Sequence, residues 1–567
     1  MKREETYLET GKALANLSLL YPPGAAPDTL SFLEISPATA HDLGLDEIIA
    51  AFVPDRGHQH EIRAIFSRLP RDSEVITYRQ AVLQDLLSIP ALAERFASLL
   101  PLMDSLFESS HRLEREMPWL HEVVWRAGEL QTIIECFEGM GDALISVEDR
   151  IQSEALRLLH AEIRTARNDP TYQRLVEELP GLVARLRGGA SITIGVNLDP
   201  SLRPVQATLL TVNEKPFTDQ SLLNRLFGVR GEQEGIAPLH SVPKGRAEGH
   251  LRDPIDPLMV PLFADLAKVL EQTALPIADQ LRQYAGMHGQ LFTNLRQGLI
   301  FYLGAVRLIR RLQKLGLSMC RPQIASAEER WCEVQDSYNL HLPLRESGSE
   351  KETGSAIVQN DIRMGTEGRI LLLTGPNSGG KTTYMQGVGV VQILTQLGCY
   401  VPGVQAVVSP VDHLFTHFPL EEKLQTDTGR FGEEARRLGK IFEQVTRNSL
   451  VLLNETFSST SFSESLYLAE DIVRILRRVG ARAIYATHLH ELAGRADALN
   501  HSVPGESKII SVVSSPIEAS GAEMGSTYKL EIRPPLGQSY AREIATRYGI
   551  SYEQLENVLS ERGVLKS

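Results

Sequence analysis

A chain of 567 residues with a formal net charge of −13 exceeds one domain, at about 100–200 residues each. It is too acidic to coat nucleic acid by bulk charge, because that affinity comes from neutralising phosphates; a local basic channel is still allowed. No apolar core of a secretory signal occurs in MKREETYLETGKALANL, and the apolar run around Gly298 to Val306 is far short of the about 20 residues that span a bilayer.

The hydrophobic share of 43% and charged share of 23% are those of an ordinary soluble globular chain. Cys136, Cys320, Cys332 and Cys399 lack C-x-x-C spacing, which fits a reducing cytoplasm better than disulfides or zinc. The expectation is a cytoplasmic enzyme without a membrane partner.

Residues 1–41 hold a Pro22-Pro23-Gly24 turn and a short strand-like stretch, to which no function attaches. From about His41 to Leu186 apolar residues recur at three- and four-residue spacing, as in DEIIAAF and EIRAIFSRL, which predicts helices. Pro170 and Pro180 punctuate that run. Between about Gly188 and Asp253 the pattern changes: SITIGVNL and VQATLLTV read as strands, with LDPSLRP as the turn between them.

Residues 258–317 return to helix, without a proline from Ile277 through Leu317, a proline-free span of about 60 Å if continuous. Gly286, Gly289, Gly298 and Gly304 argue against one straight rod. Arg307, Arg310, Arg311 and Lys314 line up at helical spacing, either as a nucleic-acid face or as a solvated one. Glu346 to Glu352 is a polar, loop-like run. His58, His60 and the pair His488/His490 show no H-E-x-x-H pattern, so no metal is expected on them.

Directly after the apolar run Ile370-Leu371-Leu372-Leu373 comes GPNSGGKT, from Gly375 to Thr382, leading into a helix-like stretch. This is the G-x-x-x-x-G-K-[ST] phosphate loop in its required strand–turn–helix setting. Gly375, Pro376, Asn377, Ser378, Gly379 and Gly380 are the candidate cradle, with Lys381 reaching the β- and γ-phosphates. The Thr382 hydroxyl is placed for Mg2+, and Thr383 follows it. Ser449 to Leu453 reads as a buried strand ending in Asn454-Glu455, and Ala481 to Ala486 as another ending in Thr487-His488. In a parallel α/β sheet such strand ends face the ligand crevice. Glu455 and His488 are then either ordinary strand-end residues or, respectively, the group that polarises the attacking water and the sensor of the γ-phosphate.

TGPNSGGKTTYMQ, QLGCYVP from Gln396 to Pro402, LVLLNET, and YATHLHEL from Tyr485 to Leu492 resemble the ATPase domain of MutS proteins. GQSYAREIATRYGI, from Gly537 to Ile550, is similar to the segment leading into that family's terminal dimerisation helices. Asn360-Asp361 resembles its Asn-Asp pair near the adenine. The likeness is dense from about Trp331 to the end and diffuse from about Leu43.

The resemblance implies a mixed fold. An N-terminal segment, 1–41, would precede an α-helical core or lever region, 42–330, with a small strand-rich insert at 190–252. A P-loop α/β ATPase domain of ABC-like type with C-terminal dimerisation helices would follow at 331–567. It implies ATP and Mg2+ as cofactors, a homodimer, DNA as partner, Glu455, His488 and Lys381 as catalytic residues, and Asn360 beside the base. In the family the insert position is a DNA-gripping clamp; here it holds seven Lys/Arg against six Asp/Glu, so a clamp and a structural hairpin both remain open.

Three departures bear on mechanism. The family's metal-side Asp is Asn454 here, which keeps a polar group near Mg2+ beside Thr382 but gives up a charge that a hard cation prefers. The family's signature loop, which contacts the neighbouring subunit's γ-phosphate, has Ser-Thr-Phe before a Glu; here Gly429-Arg430-Phe431 precedes Glu434. Thr428 or Arg430 stands in for the lost serine, and Arg430 is either an arginine finger across the dimer or a solvated loop residue.

Phe32-Leu33-Glu34 matches the Phe-x-Glu wedge of mismatch readers. Core-like sequence begins about ten residues later, however, which leaves no room for a domain of about a hundred residues. That match is expected to be chance, and neither a mismatch reader nor a nuclease domain beyond Ser567 is expected. The function that follows is a MutS-like ATPase controlling a DNA-holding homodimer, in a role of repair or recombination type. The alternative is a nucleotide-gated clamp with little turnover, on branched DNA, structured RNA or ribosomes.

Overall fold

A computed structural model describes residues 17–25, 27–112, 119–187, 191–198, 200, 204–213, 218–219, 234–235, 277, 279–281, 284, 290–346, 357–376, 379–419, 429–457, 460–516, 526–535, 546, 549–562 and 564. The fold is mixed, with many helices and several separate sheets. Two compact units form: one of residues 1–17, 94–148 and 158–296, the other of 18–93, 149–157 and 297–567.

In the first unit, apolar stripes of the helices Trp119–Ile145 and Pro170–Arg187 meet. Val123, Ala127 and Leu130 pack with Leu175, Leu179 and Leu182, and Ile277, Leu281 and Tyr284 close the cluster. Pro170 opens its helix, where a missing N–H costs little; Pro180 lies inside the same helix and does not end it as its sequence position suggests. Ser191–Leu198 pairs antiparallel with Pro204–Asn213, the hairpin expected from the change of period. Most of the remaining insert lies outside the described residues, as does much of the stretch before the helix Gln290–Lys314.

The second unit is built on a six-stranded sheet: β1 (Ile370–Thr374), β2 (Leu414–His417), β3 (Leu450–Asn454), β4 (Arg482–Ala486), β5 (Ile509–Pro516) and β6 (Ser526–Ile532), in the order β2-β3-β4-β1-β5-β6. All pairs are parallel except β5 with the edge strand β6. A parallel sheet covered on both faces needs apolar residues in both registers; every residue of β1, β3 and β4 is buried. The helices α1 (Lys381–Gln396), α2 (Gly429–Phe442) and α3 (Phe462–Val479) flank it. Leu438 and Ile441 of α2 and Ala469, Val473 and Leu476 of α3 share a core with Ile370, Leu372, Val451 and Leu453. Gly389 of α1 lies so close that a Cβ there would sit 2.6 Å from Leu43 and 3.2 Å from Leu452.

Long-range bonds draw earlier segments into this unit. Tyr302 Oη donates to Leu19 O at 2.7 Å, Gln386 Nε2 to Asp42 O at 2.8 Å and Gln396 Nε2 to Pro70 O at 3.1 Å. The compact units therefore cut across the boundary at 330 read from the sequence. Of the basic stripe, Arg307 and Lys314 are exposed while Arg310 and Arg311 are half-buried, so only half of it faces solvent. Leu33 is buried in a strand, Phe32–Glu34, paired with Arg68–Pro70, and the Arg68 guanidinium lies 4.2 Å from the Phe32 ring centre. That packing explains the Phe-x-Glu match without a wedge. Among the described residues no single helix is long and apolar enough to cross a membrane.

Candidate nucleotide site

The loop between β1 and α1 is shaped by glycine where other residues are strained. Gly375 and Gly380 take φ values of 147° and 81°. A Cβ on Gly375 would sit 2.7 Å from Ser514 Cβ, and one on Gly379 would sit 2.9 Å from Pro376 O. Gly379 N donates to Pro376 O at 3.1 Å, and Ser514 Oγ of β5 donates to Gly379 O at 2.6 Å. Asn377 and Ser378 lie outside the described residues.

Lys381, the first residue of α1, is buried, and its ammonium donates to Gly375 O at 3.1 Å and Pro376 O at 3.0 Å. Burial lowers its pKa, and the Glu455 carboxylate works in the opposite sense. Among the described residues no side chain caps α1 at Gly380, so the helix begins as a set of backbone donors with a positive dipole end. Thr383 O accepts from Asn339 Nδ2 at 2.7 Å, which ties the first turn of α1 to its neighbour.

The ends of β3 and β4 bring the other groups to the loop. Asn454 Nδ2 donates to the Thr382 hydroxyl at 3.2 Å, while Asn454 Oδ1 is buried without a partner among the described residues. Glu455 N donates to Ala486 O at 2.9 Å, and His488 Nε2 donates to Glu455 Oε1 at 2.8 Å. That hydrogen bond holds the Glu455 carboxyl below its ordinary range; burial opposes it, and the charges of His488 and Lys381 add to it. Lys381, Thr382 and Glu455 line a cavity of about 690 Å3 together with Tyr338, Ile357 and Tyr528, a size and lining suited to a small organic ligand with one charged end.

Asn360 lines the same cavity, but its amide is engaged by β6: Nδ2 donates to Tyr528 O and Oδ1 accepts from Leu530 N, both at 2.9 Å. Gly429 and Arg430 open α2. Phe431 is exposed with its ring centre 6.1 Å from that of Phe457, and Glu434 Oε1 accepts from Phe457 N of its own chain at 2.8 Å. Thr428 and most of the Gly537–Ile550 segment lie outside the described residues. Sequence reasoning missed Ser514, Asn339 and Tyr528, which reach the loop or cavity from distant positions and carry no local motif.

Family models match two parts of the chain: MutS domain V over residues 371–550 and the MutS2 N-terminal domain over residues 71–315. The chain belongs to the MutS superfamily. It is 28% identical over 333 residues to the DNA mismatch repair protein MutS of Geobacillus sp. (strain WCH70), covering 57% of this chain and 36% of that protein. Against DNA mismatch repair protein MutS 2 of Halobacterium salinarum it is 33% identical over 177 residues, 31% of this chain and 20% of the relative. Against the MutS of Brevibacillus brevis it is 35% identical over 160 residues, 28% of this chain and 18% of the relative. The chain thus matches about a third or less of the length of these MutS relatives.

Proposed function

We propose that this MutS-superfamily protein is a P-loop ATPase, ABC-like in its ATPase domain, whose nucleotide cycle controls how a homodimer holds DNA in the cytoplasm. The observation that carries the reading is the convergence, at one cavity, of a glycine-shaped helix N-terminus, Lys381, Thr382 and Glu455, with Asn454 bonded to Thr382 and His488 to Glu455 behind them. Such a cradle takes phosphates through backbone N–H groups and one lysine. Glu455 orients the attacking water, and His488 holds Glu455 and reads the γ-phosphate. Arg430, at the start of α2, acts as an arginine finger at the partner's site. The tail helix Tyr552–Glu561, which has no buried residue in the single chain, belongs to the dimer contact. Residues 42–330 serve as the lever region that carries the change to DNA.

Thr382 and Asn454 are the residues to hold Mg2+, which when bound supplies positive charge against the β- and γ-phosphate oxygens. The donor set suits a hard cation only in part. Thr382 offers a hydroxyl and Asn454 a buried, unpartnered carbonyl oxygen, but neither carries charge. A raised Mg2+ requirement follows, and Asn454→Asp, by restoring a carboxylate, lowers the Mg2+ concentration at half-maximal turnover. An unchanged Mg2+ titration in that variant removes Asn454 from the metal's surroundings.

The same neutral Asn454 favours a second reading, a nucleotide-gated clamp with little turnover, on branched DNA or structured RNA. Steady-state phosphate release decides: many phosphates per enzyme mark the ATPase, and release that stops near one marks the clamp. Binding to matched, mismatched and branched DNA and to structured RNA, each across a salt series, assigns the partner. Phe32 packs beneath Arg68 rather than standing free, so matched and mismatched duplexes are expected to bind within about tenfold, or 1.4 kcal/mol, of each other. A larger mismatch preference that Phe32→Ala removes would refute this.

A further inference from the structure

The turn that presents Glu455 is held in an unusual conformation. Glu455 and Phe457 both take left-handed backbone, with φ of 49° and 63°. For residues with a side chain, that geometry crowds Cβ against the next carbonyl and persists only where neighbours enforce it. Among the described residues, four hydrogen bonds from neighbouring elements do so. Glu455 N reaches Ala486 O, the Thr456 hydroxyl meets Tyr485 Oη, Ser465 Oγ donates to Phe457 O at 2.8 Å, and Phe457 N donates to Glu434 Oε1 at 2.8 Å. Two of these come from β4, one from α3, and one from α2.

The bond from α2 joins two parts of the machinery. Phe431 lies one turn before Glu434 on the same helix, and its ring packs near that of Phe457. The start of α2 and the Glu455 turn are therefore linked twice within one chain, by a hydrogen bond and by a ring contact. A carboxylate already engaged with a backbone N–H of its own chain is poorly placed to serve a second subunit's nucleotide.

We propose that Glu434 is a positioning residue acting in its own chain: by accepting the Phe457 N–H it fixes the turn that aims Glu455, and so sets turnover rather than nucleotide affinity. The proposal rests on the ATPase reading above. Alignment of a base is steeply distance-dependent, so loss of this acceptor lowers kcat of Glu434→Ala by at least about tenfold. The Kd for ATP stays within about twofold, since the glycine loop and Lys381 are untouched. Glu434→Gln keeps an acceptor oxygen and recovers most of the lost rate. On a Glu455→Ala background Glu434→Ala adds no further loss in single-turnover hydrolysis, because its target is already gone.

The full-length protein serves for every arm. Amide exchange at Phe457 reads the contact without turnover: slow in wild type and in Glu434→Gln, fast in Glu434→Ala. Mixing Glu434→Ala with Lys381→Ala protein separates cis from trans. A cis role gives no recovery, because the chain that keeps Lys381 lacks its own Glu434; a trans role restores one site of the mixed dimer. The proposal is overturned by recovery on mixing, by an unchanged kcat in Glu434→Ala, by equal defects in the Ala and Gln variants, by additivity with Glu455→Ala, or by identical exchange at Phe457. Wild-type protein that releases no phosphate instead sinks the ATPase reading itself.

Discussion

Lys381→Ala is expected to abolish nucleotide binding. The ammonium is buried beside the glycine loop, and its present acceptors are the loop's own carbonyls, Gly375 O and Pro376 O. A phosphate group entering the cradle offers a charged acceptor in place of two neutral ones, so the lysine turns from the loop to the ligand. Burial lowers the lysine's pKa, which makes an anionic partner more valuable to it there than in water. Charge-assisted hydrogen bonds are each worth about 1.5–3 kcal/mol, so removing the ammonium weakens ATP by about a hundredfold or more. Equilibrium binding of a fluorescent ATP analogue measures this, with a thermal melt to establish that the variant is folded. A folded variant with wild-type affinity would mean that the cavity does not take phosphates at the loop.

Glu455→Ala is expected to separate binding from chemistry. Its carboxylate lines the cavity, is held below the ordinary carboxylate range chiefly by the hydrogen bond from His488, and lies outside the glycine loop. A positioned base contributes about 10²- to 10⁴-fold to a rate, and that factor is lost while ATP affinity is retained, so the variant accumulates in the ATP-bound form. Single-turnover hydrolysis and equilibrium binding on the same preparation give the two numbers. Since the group's folded pKa is depressed, wild-type turnover falls only as pH drops below the ordinary carboxylate range. Equal loss of nucleotide affinity in the Lys381 and Glu455 variants would refute this division of roles.

Asn454 adjoins Glu455 in sequence, yet its amide points to Thr382 while the Glu455 carboxylate points to His488. Successive residues at a strand end project to different sides, which lets the proposed metal and water roles fall to adjacent residues. The positive φ at Glu455 sharpens that divergence.

The strand–glycine loop–helix unit was legible in the sequence because its causes are local. Ile370-Leu371-Leu372-Leu373 is apolar in both registers, as a strand covered on both faces must be, and the glycines that follow occupy backbone that a Cβ would obstruct. Leu450–Asn454 and Arg482–Ala486 were readable for the same reason, and so were the helices before residue 187 and the hairpin after it. Other features were decided only by the tertiary structure. Ser514 grips Gly379 O from 135 residues away, Tyr528 and Leu530 engage the Asn360 amide, and Glu434 meets the Phe457 backbone. Residues 18–93 joined the sheet's unit in part through bonds such as Gln396 to Pro70. Each of these joins a side chain to a backbone group across a long stretch of chain. Such a bond satisfies a buried polar group but imposes no periodicity, glycine or cap on the residues around it, so nothing in the local sequence announces it.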